Sequence, residues 1–429
     1  MNLIAILNRG IAFASACANC WAIPSPLENV QWEMPGGDFF VSLGDLALSP
    51  NRDLLTFAYG DGFQSFRQSN GGTIAPGAKG ASLRPLALPI CLAFSPDGRS
   101  LAVGYEYMIS TWWGGAFIYG LEPAGFQYDL FLRDTGGVTA IAFSDDSKSV
   151  FVGASAFGHL LGPANTALRC FTTAPDWKLK IEAFAHTATI NALLPIRGRD
   201  VVVTAGADKK IIVWRASDLQ QLSVLTNHTA NVRCLDLTTD GKTLASCADD
   251  GTVRLWNTSD WNPTGVLVAP NQHLKSVAIS PDSKIIIAGG DDGVIHAWSL
   301  RRLSKLYERT LRSRTVGTGY ESWLTSLAIS KDSARLIYGF STSKPLTPCF
   351  VGAAEFPLAI LGADQSNEKL VIEWHGGHGP YQLQRRRFLD SGLWTNIGEV
   401  SATKIATVPL EVGNGFFRVI DTGALQLAE

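Results

Sequence analysis

Two segments in the middle of the chain carry a histidine, a hydroxyl residue and an aspartate at the same spacing: His186, Thr204 and Asp208, and then His228, Ser246 and Asp250. These are the residue types of a hydrolase triad, in which a His takes the proton of the nucleophile and an Asp orients the His. One catalytic centre needs such a set once, whereas here it occurs twice. We therefore expect a repeated structural role, with hydrogen bonds between strands that each contribute about 1 kcal/mol net.

The spacing of these residues identifies a repeat. The aspartates recur every 42 residues and each is followed six residues later by a tryptophan, in the pairs Asp208 and Trp214, Asp250 and Trp256, and Asp292 and Trp298. A fixed period in the forties indicates a repeat architecture.

A second marker extends the repeat over most of the chain. Seven segments share an apolar alternating run, a polar turn and a second apolar run, and they begin at residues 46, 92, 141, 193, 235, 277 and 327. Each pattern is typical of a β-hairpin. Further strands follow, such as "TVRLWN" (252–257) and "TGVLVA" (264–269).

Four short strands in each of seven repeats predict an all-β protein, a seven-bladed β-propeller over residues 23–362 followed by a small C-terminal β-sandwich. One four-stranded sheet has two apolar faces and cannot cover both alone. Stacking the sheets radially buries each face against a neighbour.

Residues 41–362 resemble the WD-repeat propeller family. The resemblance implies that His186, Thr204, Asp208 and Trp214 hydrogen-bond within the fourth blade, and that His228, Ser246, Asp250 and Trp256 do so in the fifth. The sixth blade keeps Asp292 and Trp298 but has Pro270 in place of the His, and the first, second, third and seventh repeats lack the Trp.

In this family a strand from the N-terminus often completes the last blade. Residues 28–36 ("ENVQWEMPG") have a suitable length and alternation, and we expect them to form the outer strand of the seventh blade. The alternative closing strand is 357–361.

After residue 362 the pattern changes. Residues 363–367 are expected to be a polar linker, and 368–429 contain short alternating strands that resemble fibronectin type III-like or immunoglobulin-like modules of exported bacterial proteins, with Trp374 in the core. Glu373, His375 and His378 are metal-ligand types. "HGGHG" is explained more simply as a glycine-rich turn, and no metal is predicted.

The N-terminus suggests export. Residues 1–22 contain one charge, Arg9, a small apolar stretch and an Ala-x-Ala pattern at Ala16–Ala18, as in a secretory signal peptide. A disordered start, or a lipoprotein signal at Cys17, is the alternative.

The composition of the chain argues against several classes of protein. With 36 basic and 38 acidic residues the net charge is −2, which argues against a nucleic-acid binder. Five of the seven cysteines lie in the body without a C-x-x-C pair, so a disulfide framework is not expected. Cys234 and Cys247 would lie nearly opposite across one hairpin, and we interpret them as small buried residues. No membrane span is predicted in the mature chain.

The loops of the second and third blades suggest a binding surface. One segment gathers aromatic residues and a histidine lies in the next blade, and together they form the predicted partner site: Tyr105, Tyr107, Trp112, Trp113, Phe117 and His159. Exposed aromatic clusters often mark interaction sites. Alternatively, these residues cap the end of the propeller.

Two functions from different classes follow. The favoured one is a non-catalytic, exported, monomeric scaffold that binds a protein, peptide or glycan and needs no cofactor. The alternative is a propeller enzyme, like some lactonases and quinoproteins, that uses its central channel. Such enzymes gather His, Asp or Glu around the axis, and only seven His occur here.

Overall fold

The computed structural model describes residues 2–7, 10–15, 30–33, 43–50, 55–59, 62–66, 87–107, 114–121, 124–132, 136–155, 166–270, 273–310, 322–331, 333, 335–342, 350–356, 359–366, 369–375, 380–386, 393–409 and 415–422. All regular elements among these residues are strands. Three strands precede the repeats: β1 (Asn2–Leu7), β2 (Gly10–Ser15) and β3 (Val30–Glu33).

The repeats form consecutive antiparallel sheets, which we call blades 1 to 7. Their strands are, for blade 1, β4 (Leu43–Leu48), β5 (Leu55–Tyr59) and β6 (Gly62–Phe66); for blade 2, β7 (Ala87–Phe94), β8 (Ser100–Tyr107), β9 (Gly114–Leu121) and β10 (Ala124–Leu132); for blade 3, β11 (Val138–Phe143), β12 (Ser149–Ala154), β13 (Ala167–Thr172) and β14 (Leu179–Phe184); and for blade 4, β15 (Ile190–Pro195), β16 (Val201–Gly206), β17 (Ile211–Arg215) and β18 (Gln221–Leu225).

The remaining blades continue the same order. Blade 5 has β19 (Val232–Leu237), β20 (Thr243–Ala248), β21 (Thr252–Asn257) and β22 (Pro263–Val268); blade 6 has β23 (Leu274–Ile279), β24 (Ile285–Gly290), β25 (Val294–Ser299) and β26 (Ser304–Thr310); and blade 7 has β27 (Ser322–Ile329), β28 (Arg335–Thr342), β29 (Phe350–Glu355) and the N-terminal β3.

The first strands of the blades form a closed ring. The first strand of each blade packs against that of the next blade, and β27 of blade 7 packs against β4 of blade 1. The all-β prediction is therefore confirmed for the described residues, and the sheets stack radially.

Burial explains why the sheets stack. Every residue of the second strands β16 and β24 is buried, whereas the outer strands β18 and β22 are largely exposed. Apolar side chains of neighbouring blades share cores, such as the cluster that joins Ala245 and Leu255 of blade 5 to Val277 and Ile286 of blade 6.

The ring is closed by β3. Val30–Glu33 pairs with Phe350–Ala353 of β29, the position predicted for the strand 28–36. The alternative strand, 357–361, lies elsewhere: β30 (Ala359–Ser366) pairs with β31 (Lys369–His375).

The predicted linker 363–367 is therefore wrong in its position. These residues lie largely within β30, because their backbone groups pair with Lys369–Ile372 across a tight hairpin. The C-terminal unit therefore begins at about residue 359.

The C-terminal unit contains two sheets. One is formed by β30, β31 and β34 (Ile405–Pro409), and the other by β32 (Tyr381–Arg386), β33 (Thr395–Ser401), β35 (Gly415–Asp421), β1 and β2. Leu370, Ile372 and Trp374 of the first sheet share a core with Leu383 and Phe417 of the second. The resemblance to a fibronectin type III module stays a prediction.

The C-terminal unit packs on blade 6. Lys284 Nζ lies 2.7 Å from Glu373 Oε1, and the buried ring of His375 packs edge-on against Phe356. His375 Nε2 is 3.8 Å from Asp282 Oδ2. His375 and Glu373 thus contribute to the junction between the two units; His378 lies outside the described residues.

Candidate functional site: the channel and its rim

The blade 4 set forms one hydrogen-bonded chain. His186 Nδ1 lies 2.9 Å from Asp208 Oδ1, and His186 Nε2 lies 2.8 Å from Thr204 Oγ1. Trp214 donates from Nε1 to the same Thr204 oxygen at 2.9 Å. The chain therefore joins the entry to the first strand, the second strand, the turn after it and the third strand.

Blade 5 repeats this geometry. His228 Nδ1 lies 2.9 Å from Asp250 Oδ2, His228 Nε2 lies 2.8 Å from Ser246 Oγ, and Trp256 Nε1 donates to Ser246 at 2.9 Å. A carboxylate only accepts hydrogen bonds, so Nδ1 carries the proton and the hydroxyl donates to Nε2. Ser246 is 0% exposed, so its hydroxyl has no access to a substrate.

Protonation equilibria fit a structural role for this set. Burial opposes ionisation of Asp250, but hydrogen bonds from Thr252, the Thr229 amide and His228 outweigh it and lower the pKa of the carboxyl. Burial lowers the pKa of His228, although Asp250 opposes this effect. The pair is thus an ionised carboxylate and a neutral imidazole.

Blade 6 lacks the hydrogen-bonded chain of His, hydroxyl, Asp and Trp that blades 4 and 5 contain. Pro270 stands where the His would be, and Ala288 stands 42 residues after Ser246, opposite His296, where the hydroxyl would be. Asp292 still accepts from the Val294 amide at 2.8 Å and is exposed, while Trp298 is buried and stacks on His296.

The first strands enclose a cavity of about 500 Å³ along the axis of the ring. A register shift recurs near the start of every first strand, and the residues at these shifts line the cavity: Gly44, Asp45, Ile90, Thr139, Asn191, Arg233, Lys275 and Thr325. Bulges of this kind redirect side chains and often lie beside functional sites.

Side chains of the first strands tie each blade to the next. The contacts are Asp45 with the Leu92 amide (3.1 Å), Cys91 with the Val138 carbonyl (3.4 Å), Thr139 with the Ile190 carbonyl (2.7 Å), Asn191 with the Val232 carbonyl (2.8 Å), Asp236 with the Ile279 amide (2.6 Å), Ser276 with the Leu327 amide (3.0 Å) and Ser326 with Asp45 (3.2 Å). One such contact therefore bridges every junction of the ring.

Two of these side chains are half-buried carboxyls. Burial raises the pKa of Asp45 to about 6, against hydrogen bonds from the Leu92 and Leu46 amides and Ser326. Burial also raises the pKa of Asp236 to about 6, against the Ile279 and Leu237 amides. Such shifts also occur at catalytic sites, but here each carboxyl holds the backbone of the next blade.

A charged network occupies the rim at blades 5 and 6. Arg233 binds Asp249 through both Nε and Nη2, with an Nη2–Oδ2 distance of 2.5 Å. Lys275 Nζ lies 3.4 Å from Asp249 and 3.3 Å from Asp291, and His273 Nδ1 lies 3.2 Å from Asp291. The side chain of His273 is 65% exposed, so the network extends from the channel wall to the outer face.

The predicted aromatic site is wrong for two members. Tyr105 and Phe117 lie on the adjacent strands β8 and β9, are at most 5% exposed and stack with their centroids 4.3 Å apart. Tyr105 Oη also donates to Asp129 at 2.8 Å. Their alternation in the sheet directs them into the core between blades 1 and 2.

The other predicted members have side chains outside the part of the chain that the structure describes. Tyr107 is the last residue of β8, and nothing is described of its side chain. Trp112, Trp113 and His159 lie outside the described residues.

The rim residues were missed from the sequence, although a signal was present. Asn191, Arg233 and Lys275 are spaced by 42 residues, the same period as the Asp and Trp markers. Aligning the first strands of blades 4 to 6 by that period places one polar residue of each of these three blades at the same height of the channel.

Within the described residues, no cluster of three metal-ligating side chains occurs. The described part of the chain also has no helix long and apolar enough to cross a membrane.

Comparisons with known proteins agree with this architecture. Residues 219–257 and 261–299 match the family model described as "WD domain, G-beta repeat". No curated protein sequence matches the chain at a significant level. Two solved structures, titled "Structure of U3-55K" and "Crystal structure of RRP9 WD40 repeats", are similar at 19% identity and a TM-score of 0.59 each.

Those matches cover 76% of this chain and 98% and 97% of the two structures. At this identity they show the fold. WD40 propellers generally serve as protein-interaction scaffolds. Two repeats of the chain therefore match the WD40 family model, and the ring of blades has the fold of solved WD40 propellers.

Proposed function

We propose that the chain is a non-catalytic scaffold that binds a protein or peptide partner at the channel rim. The observation that carries this proposal is the rim itself, where seven first strands present different side chains around one opening. Arg233 and Lys275 supply charge, and the half-buried Trp323 supplies apolar area beside Thr325. Trp and Arg are the residue types that most often dominate the binding energy of protein interfaces.

In blades 2 and 3 the second strand ends and the third strand begins on the same face of the ring as the channel rim. The strand β8 ends and β9 begins at the end of the blade that corresponds to the Asp249–Asp250 turn of blade 5, and the same holds for β12 and β13. We propose that Tyr107, Trp112, Trp113 and His159 extend the partner surface there. In this proposal Tyr105 and Phe117 only support the blade from its core.

The test is site-specific crosslinking in the native cell. A photoreactive residue replaces Thr325 at the rim or, as a control, Lys242, which is exposed in the turn at the opposite end of blade 5. We expect a defined partner band from position 325 only. Equal crosslinking from both positions, or crosslinking from 242 alone, would refute the assignment of the rim.

A second test separates the rim from the aromatic connection. The double substitution Trp112→Ala and Trp113→Ala should abolish capture of the crosslinked partner and leave the melting temperature unchanged. Lys275→Met should weaken capture, whereas the matched Lys242→Met should not. A double variant that binds normally but melts early would show that the two tryptophans are packing residues.

We also propose that the chain is exported, on the basis of the signal-like residues 1–22. Cleavage after Ala18 or Ala22 would remove β1 and β2 and leave β35 at the edge of its sheet. The mass of the mature protein from its native cell decides this point: an N-terminus at residue 19 or 23 supports export with cleavage, and a retained Met1 contradicts it.

A further inference from the structure

One cysteine pair in blade 5 lies where an oxidant can reach it. Cys234 is half-buried and lines the channel cavity beside Arg233, with its sulfur 3.8 Å from the Val277 carbonyl oxygen of blade 6. Cys247 is fully buried one strand further out. Cys234 therefore borders both the channel and the core between blades 5 and 6, whereas Cys247 lies within that core.

The two cysteines face each other across β19 and β20. Cys234 and Cys247 are directly opposite in the antiparallel register, so their side chains project from the same face of the sheet. Directly opposite residues have Cα atoms about 4.5–5.5 Å apart. That separation falls inside the range of about 4.4–6.8 Å that disulfides span, so a bond needs only side-chain rotation.

The environment gives the two thiols different reactivity. A hydrogen bond from the Cys247 thiol lowers the pKa of Cys234. Burial and the neighbouring Cys234 raise the pKa of Cys247 well above its usual range. Since the thiolate is the nucleophile, Cys234 is the attacking sulfur and Cys247 the one that resolves the product.

We propose that Cys234 and Cys247 are a thiol-oxidation site, which hydrogen peroxide entering the channel converts to an intramolecular disulfide. The Cys234 thiolate attacks one peroxide oxygen, the O–O bond breaks, and the leaving oxygen takes a proton to form water. Cys247 then attacks the sulfenic sulfur of Cys234, the S–O bond breaks as the S–S bond forms, and the hydroxide leaves with the thiol proton of Cys247 as a second water. The two sulfurs lose two electrons in total, and hydrogen peroxide gains them.

Blade 2 offers a matched comparison. Cys91 occupies the same position of the first strand as Cys234 and also lines the channel. Its directly opposite residue is Gly104, so no second thiol faces it. Burial and Asp45 raise the pKa of Cys91 well above its usual range. Cys91 should therefore stay reduced under conditions that oxidise Cys234.

The experiment treats the folded, full-length protein with hydrogen peroxide, blocks remaining thiols with iodoacetamide during denaturation, and maps tryptic peptides without reduction. Trypsin cleaves after Arg233, Lys242 and Arg254, which separates the cysteines into "CLDLTTDGK" and "TLASCADDGTVR". We expect these two peptides to be linked, to separate on reduction, and to appear at least tenfold faster than any peroxide product of Cys91.

Two variants test the order of attack. In Cys247→Ser, the sulfenic acid at Cys234 has no resolving thiol and should be trapped by dimedone. In Cys234→Ser, neither the linked peptides nor a dimedone adduct at Cys247 should form. An unlinked wild type, direct oxidation of Cys234 to the sulfinic acid, or equal oxidation of Cys91 would each overturn the proposal.

Discussion

Replacing Asp250 by alanine tests whether the His–Ser–Asp sets are structural. The Asp250 carboxylate accepts hydrogen bonds from His228 Nδ1 (2.9 Å), the Thr229 amide (2.9 Å), the Thr252 amide (3.0 Å) and Thr252 Oγ1 (2.7 Å). The truncation removes all four acceptor contacts and leaves the backbone of the turn in place.

The loss of stability in Asp250→Ala depends on which of the former donors can bind water instead. The side chain of His228 is 1% exposed, so its Nδ1–H loses its close acceptor and keeps only the distant Thr252 Oγ1, at 3.5 Å. The exposed Thr229 amide can bind water, which recovers most of the loss there. One unsatisfied buried donor costs about 1–3 kcal/mol, and we expect the free energy of unfolding to fall by that amount.

The assay is chemical denaturation of the full-length protein, with Asp292→Ala as the control. Asp292 occupies the same turn position in blade 6, but it is exposed and that blade has neither the His nor the hydroxyl of the set. The control should lose less than about 1 kcal/mol. Equal losses in the two variants, or a full loss of a measurable activity at unchanged stability in Asp250→Ala, would refute the reasoning.

Three further outcomes are expected. Phe117→Ala should lower the free energy of unfolding by about 3–5 kcal/mol, because it empties a core site; calorimetry showing a smaller loss together with lost partner capture would restore Phe117 to the binding surface. Burial lowers the pKa of His375 to about 4 in the folded protein, whereas in the unfolded chain it is near 6.5. The neutral imidazole therefore favours the folded state, and this contribution to the free energy of unfolding is complete above pH 6.5. The contribution falls by about 1.4 kcal/mol per pH unit as the pH decreases towards 4. Chemical denaturation of wild type and His375→Phe at pH 7 and pH 5 measures it as the change in their difference in free energy of unfolding. A difference that is the same at both pH values contradicts the assignment. Deleting residues 23–36 should destabilise the ring by on the order of 2–4 kcal/mol, since it removes the backbone hydrogen bonds between β3 and β29; deletion of 23–27 alone is the control, and equal melting temperatures for the two deletions would show that β3 does not close the ring.

The local sequence pattern was sufficient to predict the repeated strands and turns. The 42-residue period, the alternation within strands and the turn residues depend on neighbours in the chain, so they predicted the all-β architecture and the members of the blade 4 and blade 5 sets. The absence of the set in blade 6 was also visible at Pro270, although Ala288 shows its second cause only once the strands are in register.

Contacts between distant residues were decided by the tertiary structure. Tyr105 and Phe117 looked like members of an exposed aromatic loop, yet the pairing of β8 with β9 places them in a core. Asp45 carries no local motif, and its role follows from contacts with Leu92 and Ser326 on both neighbouring blades.

The sequence by itself therefore determined the repeat and its strands, because a period and an alternation are properties of the chain. Only the closed ring decided which residues meet at the axis. Curvature and strand pairing bring Arg233, Lys275 and Trp323 from separate blades to one opening, and no spacing within a single repeat encodes that meeting.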